Sequence, residues 1–122
     1  MKELEELIKL VAQKHKIDQK RGEAKYMDTD WITQSIVDEV EEEIKPNNKA
    51  HLEDELSDIL WGWLTLIEKL KDSGYVDGHE AIIQRALKKY QERILPLYGD
   101  ARDHDIWREI KERQKRVLKE ES

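Results

Sequence analysis

Residues 49–72 read KAHLEDELSDILWGWLTLIEKLKD, and their apolar pattern decides the fold. The apolar residues recur every three or four positions, which places their side chains on one face of an α-helix. This apolar stripe consists of Leu52, Leu56, Ile59, Trp63, Ile67 and Leu70, and Leu60 is a further apolar residue of the same stretch. Pro46 precedes the stretch and Ser73-Gly74 follows it, so we predict one long helix over about Lys49 to Asp72.

Two amphipathic segments precede this helix. The first covers about residues 2 to 15, and residues 16–30, which lack a clear period, form a connection with some helical character. The second begins after Thr29 or Asp30, either of which can cap a helix, and Pro46 stops it. Its apolar positions are Ile32, Ile36, Val40 and Ile44. We predict a helix for each of the two segments.

Two more helical segments follow. The fourth helix begins after Gly78 and ends at Pro96, and the fifth follows Gly99 and covers about residues 103–120. Sustained alternation of apolar and polar residues, the mark of a half-buried strand, is missing from the sequence. We therefore predict an all-α fold, a helical bundle with a core of about four helices plus a C-terminal helix.

Length and charge limit the number of domains and the class of partner. A chain of 122 residues fits a single domain over residues 1–122. Charged residues make up 41% of the chain, against about 25% in an average protein, so the helices are highly solvated. The net charge of -6 disfavours a nucleic acid polymer as the partner. An anionic substrate would need a bridging cation.

The composition also indicates the cellular compartment. The chain has no cysteine, which excludes disulfides and thiolate metal sites. Its N-terminus lacks the apolar run of a signal peptide, and no stretch approaches the ~20 apolar residues of a membrane span. We expect a cytoplasmic protein without a membrane partner.

Four acidic residues flank the apolar faces of the second and third helices. A helical wheel of about 100° per residue places Glu39 and Glu42 together on one flank of the second helix. The same wheel places Glu55 and Asp58 on one flank of the third helix. If the two helices pack antiparallel across their short connection, the two pairs can face each other.

Such a group of carboxylates has two interpretations. Four carboxylates within a few ångströms repel one another unless cations neutralise them, and an all-oxygen ligand set suits Mg²⁺ or Mn²⁺ better than Zn²⁺. The alternative is that both acidic runs are solvated helix faces, which are common.

The acidic residues also match a known pattern. Residues 38–42 read DEVEE, twelve residues intervene, and residues 55–58 read ELSD. This arrangement resembles the E-E-x-x-E and E-x-x-D signature of the MazG-like, all-α nucleotide pyrophosphohydrolases, and it is most specific over residues 31–70. The chain departs from the family pattern at Asp38, where glutamate is usual.

The resemblance implies an activity and a site. Glu39, Glu42, Glu55 and Asp58 would bind Mg²⁺, with Mn²⁺ as a substitute, and the cation would hold the triphosphate of a nucleotide. The enzyme would hydrolyse nucleoside triphosphates, including deoxy or non-canonical ones, to the monophosphate and pyrophosphate. The catalytic core would cover about residues 28–97, and the protein would be a homodimer or homotetramer.

Five further residues are candidate substrate contacts. Arg85, Lys89 and Arg93 recur every four residues and form a basic stripe that can bind phosphates, although a solvated basic face has the same pattern. Trp31 and Gln34 can stack on a base and hydrogen-bond to it. A tryptophan at a helix start is also a common core residue.

Two other functions fit the same residues. Phosphoribosyl-ATP pyrophosphohydrolases are similar in architecture, so that substrate is an alternative. A helical oligomerisation or regulatory module, with the acidic pairs as plain surface, is the non-enzymatic alternative. The four histidines have no Glu-x-x-His spacing, which argues against a di-iron site, and we expect ordinary surface histidines.

Overall fold

The computed structural model describes residues 1–22 and 36–121, with Ile36 and Val37 described by their backbone alone. These residues form five α-helices and no strand, which confirms the all-α fold class. The helices are α1 (Lys2–Lys20), α2 (Ile36–Glu42), α3 (Lys49–Asp72), α4 (His79–Ile94) and α5 (Asp103–Glu121). The chain divides into two compact units, Met1–His79 and Glu80–Ser122. Among the described residues, no helix is both long enough and apolar enough to span a membrane.

Helix α3 has the bounds that its sequence predicts. Asn48 caps its start, and the Asn48 carbonyl accepts a hydrogen bond from the amide of Leu52 (3.0 Å). At the other end the amide of Gly74 donates to the carbonyl of Lys71 (3.0 Å), and that of Tyr75 donates to the carbonyl of Leu70 (2.9 Å). Gly74 has φ 82°, the left-handed conformation that glycine adopts readily after a helix. The chain therefore leaves the helix where the sequence places Ser73-Gly74.

Helix α1 is longer than predicted. It continues to Lys20, so the predicted end near residue 15 is too early, and the first five residues of the connection have the helical character expected of it. The buried positions of this helix are Val11, His15 and Asp18, which keep the helical spacing but change from apolar to polar. A search for apolar periodicity stops at Val11 because the pattern continues in polar side chains.

Polar contacts join α1 to α3 at their carboxyl ends. Gln19 Nε2 donates a hydrogen bond to Asp72 Oδ2 (3.1 Å), and His15 Nε2 lies 3.3 Å from the same oxygen. Within α1, Lys14 forms an ion pair with the buried Asp18 carboxylate. Asp72 therefore accepts a hydrogen bond from Gln19 and lies beside His15, and these contacts hold the ends of the two helices together.

The predicted start of the second helix lies outside the described residues, and α2 ends earlier than its apolar pattern suggests. It ends at Glu42, and the amides of Glu43 and Ile44 make turn-type hydrogen bonds to the carbonyls of Val40 and Glu41. Ile44 is 65% exposed, so its predicted place on the apolar face of the second helix is wrong. Val40 of this helix is buried.

The buried face of α3 differs from its predicted stripe. Ile67 is buried as expected, and Leu64, which stands outside the stripe, is fully buried. The exposed fractions of Leu56, Leu60 and Trp63 are 47%, 41% and 40%. Because α3 is apolar on more than one side, it has more apolar surface than the described residues cover.

The histidines are not all surface residues. His15 and His79 are buried, which corrects that expectation, whereas His51 and His104 are exposed. His79 Nε2 lies 2.9 Å from the carbonyl oxygen of Leu64. A carbonyl oxygen can only accept, so this nitrogen carries the proton and donates. The side chain of His79, the last residue of the first unit, is thereby bound to the middle of α3.

The second unit consists of α4 and α5, which are joined by polar side chains. Gln114 of α5 accepts a hydrogen bond from Arg93 Nε (2.8 Å). Its Nε2 donates to the carbonyl of Lys89 (3.1 Å) and to Glu92 Oε1 (3.1 Å). Ile110 is the buried apolar residue of α5. One glutamine therefore holds three positions of the facing helix.

Candidate metal centre

A short turn over residues 43–48 connects α2 to α3, and the two helices pack against each other. Asn47 in this turn has φ 57°, a left-handed conformation that asparagine tolerates better than most residues. The side chain of Asn48 donates from Nδ2 to the carbonyl oxygen of Glu43 (2.8 Å) and to Glu43 Oε2 (2.7 Å). The end of α2 is thus bound to the start of α3.

Three carboxylates meet where these two helices pack. Glu39 of α2 and Glu55 and Asp58 of α3 each offer one oxygen, and the three oxygens lie within 4.8 Å of one another. Glu55 is half-buried, and Glu39 and Asp58 are exposed. Glu42 is exposed and is not part of this group. The structure therefore brings together three of the four carboxylates that the sequence proposes.

Glu55 is the member of this acidic cluster whose environment is least suited to a bare carboxylate. Its Oε2 is buried and has no hydrogen-bond partner among the described residues. The pKa of Glu55 is raised, first by partial desolvation and then by the negative charges of Glu39 and Asp58. A cation bound by the cluster would both partner the buried oxygen and offset the repulsion.

The donor set of the cluster fits a hard divalent cation. All three side chains are carboxylates, and oxygen ligands suit Mg²⁺ and Mn²⁺, whereas structural zinc sites favour sulfur and imidazole. Three protein oxygens leave room in an octahedral shell for water and phosphate. The residues present therefore fit a cation that bridges to a phosphate.

A family comparison supports the same chemistry. The model of the MazG nucleotide pyrophosphohydrolase domain matches residues 31–94, which is just over half of the chain. This chain belongs to the MazG family. The matched segment of the MazG domain contains α2, α3 and α4, and α1 and α5 lie outside it. The chain has no significant match among curated proteins or among solved structures.

The basic residues predicted to bind phosphate lie in α4 of the MazG domain, in the second unit. Arg85 Nη2 is paired with Glu121 Oε2 of α5 at 3.2 Å. Arg93 is buried and packs over the rings of Tyr90 and Trp107. The exposed Lys89 has its Nζ 5.5 Å from the centroid of the Tyr90 ring. Phosphate binding by the three stays a prediction, and for Arg93 and Arg85 it would compete with contacts to α5.

Trp31 and Gln34, predicted to contact the base, lie outside the described residues. The sequence did not predict that Glu43 and Asn48, two residues of the turn next to the acidic cluster, bond to each other. Glu43 follows Glu39 by four positions, which is a signal for a shared face. For Asn48 the sequence predicts only that it caps a helix.

Proposed function

We propose that this protein hydrolyses nucleoside triphosphates, deoxy or non-canonical ones included, to the nucleoside monophosphate and pyrophosphate, with Mg²⁺ as its cofactor and Mn²⁺ as a substitute. The observation that carries the proposal is the cluster of Glu39, Glu55 and Asp58, in which a buried oxygen of Glu55 has no hydrogen-bond partner in the described part of the chain. Membership of the MazG family supplies the class of bond that is cleaved.

The reaction consumes one water and breaks one phosphoanhydride bond. Water adds to one phosphorus of the α–β linkage, the bridging oxygen departs with the other phosphorus, and the water proton passes to a base. Phosphoryl transfer requires mainly positioning and stabilisation of charge. When bound, the cation supplies positive charge that offsets the phosphates and makes a nearby water more acidic.

The three carboxylates have different tasks in this proposal. Glu55 and Asp58 stand three residues apart on the long helix α3, so they hold the cation on a rigid element. Glu39, from the shorter α2, is exposed and orients or deprotonates the attacking water. Glu42 remains a candidate fourth ligand from α2.

We also propose that the active form is a cytoplasmic homodimer or homotetramer. The support is the exposed apolar row of Leu56, Leu60 and Trp63, which are four and three residues apart on α3. Side chains at this spacing share one helix face, and their burial between copies would stabilise an assembly.

A product-resolved assay tests the activity. Common nucleotides, their deoxy forms and phosphoribosyl-ATP are incubated with the protein and Mg²⁺, and the products are separated by anion exchange. Monophosphate and pyrophosphate are the expected products. Release of diphosphate and orthophosphate would refute the cleavage position, and absence of turnover with every nucleotide would refute the activity.

Matched variants test the site. Glu55→Gln and Asp58→Asn are each expected to lower the hydrolytic activity by more than roughly 100-fold, which is the upper range for loss of a residue that only supports a metal ligand. Glu53→Gln is the control, because Glu53 is an exposed carboxylate of the same helix outside the cluster. Equal activity in all three variants would eliminate the cluster as the site.

A further inference from the structure

We propose that Asn48 is a positioning residue of the metal centre, which it serves by holding Glu43 and thereby fixing α2 against α3. The inference rests on the proposed function. Its basis is the pair of hydrogen bonds from Asn48 Nδ2 to the carbonyl oxygen and the Oε2 of Glu43, at 2.8 and 2.7 Å.

The role of Asn48 differs from that of an ordinary helix cap. An asparagine at this position usually accepts a hydrogen bond from an amide of the first helical turn. Here Asn48 makes no side-chain bond to the start of α3, and its amide group reaches back across the turn. Both partners are acceptors, so the group facing Glu43 must be the NH₂, and its two hydrogens match two acceptors.

The two bonds control the geometry of the carboxylates. Glu39 precedes Glu43 by four residues, about one helical turn, and Glu55 follows Asn48 by seven, about two turns. The oxygens from the two helices must stay within 4.8 Å for one cation to reach all of them. A change in the angle between α2 and α3 at the turn would move Glu39 away from Glu55 and Asp58.

The same bonds also restrain a fourth negative charge. The Glu43 carboxylate is half-buried and is one of the charges that act on Glu55. Its bond to Asn48 gives it a fixed partner at the turn. Without that partner the carboxylate would be free to approach the cluster and disturb its geometry. Asn48 therefore orders both the backbone and the charge next to the site.

The test compares Mn²⁺ binding by Asn48→Ser with that of the full-length wild-type protein, using titration calorimetry well below the melting temperature of each. Serine keeps the capping ability of the position but cannot reach Glu43. The dissociation constant for Mn²⁺ is expected to rise about tenfold, at the low end of the roughly 10- to 100-fold range for lost outer-shell partners. Circular dichroism should show unchanged helix content.

The control is Asn47→Gly in the same turn, since glycine adopts the positive φ of Asn47 readily. It should bind Mn²⁺ like the wild type. If Asn48→Ser does not fold, Asn48→Asp takes its place, because it keeps the side-chain size but sets a carboxylate against that of Glu43. Weaker binding is expected despite the added charge.

A dissociation constant within twofold of the wild type, or tighter binding by Asn48→Asp, would overturn the role of Asn48 alone. Absence of Mn²⁺ and Mg²⁺ binding by the wild-type protein would instead refute the proposed function, and with it the basis of this inference. The two failures are therefore distinguishable by the behaviour of the wild type.

Discussion

Glu55 combines a structural cost with a proposed role as a metal ligand. Its pKa is raised by partial desolvation and by the charges of Glu39 and Asp58. In the pH range just above the ordinary glutamate pKa, the folded state therefore binds more protons than the unfolded state. The free energy of unfolding of the metal-free protein falls as pH rises through this range, and the ionised carboxylate remains unfavourable above it.

Replacement of Glu55 with glutamine should therefore stabilise the metal-free protein. At pH 7 the melting temperature of Glu55→Gln is expected to rise above that of the wild type, because a neutral amide removes the repulsion. The increase in melting temperature on addition of Mn²⁺ should disappear. A lower melting temperature with a preserved response to Mn²⁺ would contradict the assignment, and Glu53→Gln should show neither change.

Cation affinity should depend on pH through the same residue. A carboxylate must lose its proton to bind a cation, so protons and Mn²⁺ compete for Glu55. We expect the Mn²⁺ dissociation constant, measured by calorimetry, to rise as pH falls from 7.5 towards the raised pKa of Glu55. An affinity that is constant over this range would show that Glu55 is not a ligand.

At the residue scale, helical spacing predicted which carboxylates share a helix flank, but it did not predict the contacts of the residues next to them. A helical wheel places Glu55 and Asp58 on one flank, and the structure brings both to Glu39. The contact from Asn48 to Glu43 could not be read from spacing, because it crosses a turn whose backbone path depends on a left-handed residue.

At the scale of helices, glycine and proline residues allowed the bounds of α3 and α4 to be predicted. α3 ends beside Ser73-Gly74, and α4 begins after Gly78 and ends shortly before Pro96. Glycine readily adopts the backbone conformations found at helix ends, and proline cannot continue a helix. α1 also ends beside a glycine, Gly22 with φ 72°, but the buried positions of its last turns, His15 and Asp18, are polar, so the apolar pattern stops before the helix does. Burial of polar side chains depends on partners from other helices, which a single helix pattern does not contain.

Arg93 should contribute mainly to the packing of α4 on α5. The residue is 9% exposed, donates to Gln114 and lies over the rings of Tyr90 and Trp107. We expect Arg93→Ala to lower the free energy of unfolding by about 1 to 3 kcal/mol, as for a lost charged hydrogen bond with cation–π contacts. Urea denaturation checks the value. Lys88→Ala, at an exposed position of the same helix, should change it by less than about 0.5 kcal/mol.

At the scale of the whole molecule, the main departure from the sequence prediction is the exposed apolar row of α3. The wheel placed Leu56 and Trp63 in one apolar stripe, and the described residues leave both of them substantially exposed. Periodicity identifies apolar faces and cannot show whether the covering surface belongs to the same chain.

The apolar row should control the assembly of copies. Sedimentation equilibrium of the wild-type protein is expected to give a dimer or tetramer, and Leu60→Glu is expected to give a smaller species, because a charge on this face resists burial. Leu10→Glu on α1 is the control, since Leu10 is also an exposed leucine. A monomeric wild type, or an equal effect of both substitutions, would refute this role of the row.

The bonds from Asn48 to Glu43 have a consequence for the ageing of the protein. Asparagine is a thermolabile residue type, and hydrolysis of its side-chain amide yields aspartate. At Asn48 this change would replace the NH₂ donor by a carboxylate that faces the Glu43 carboxylate. Prolonged incubation at elevated temperature would then weaken cation binding while the helices persist. The protein would therefore lose its activity before it loses its fold.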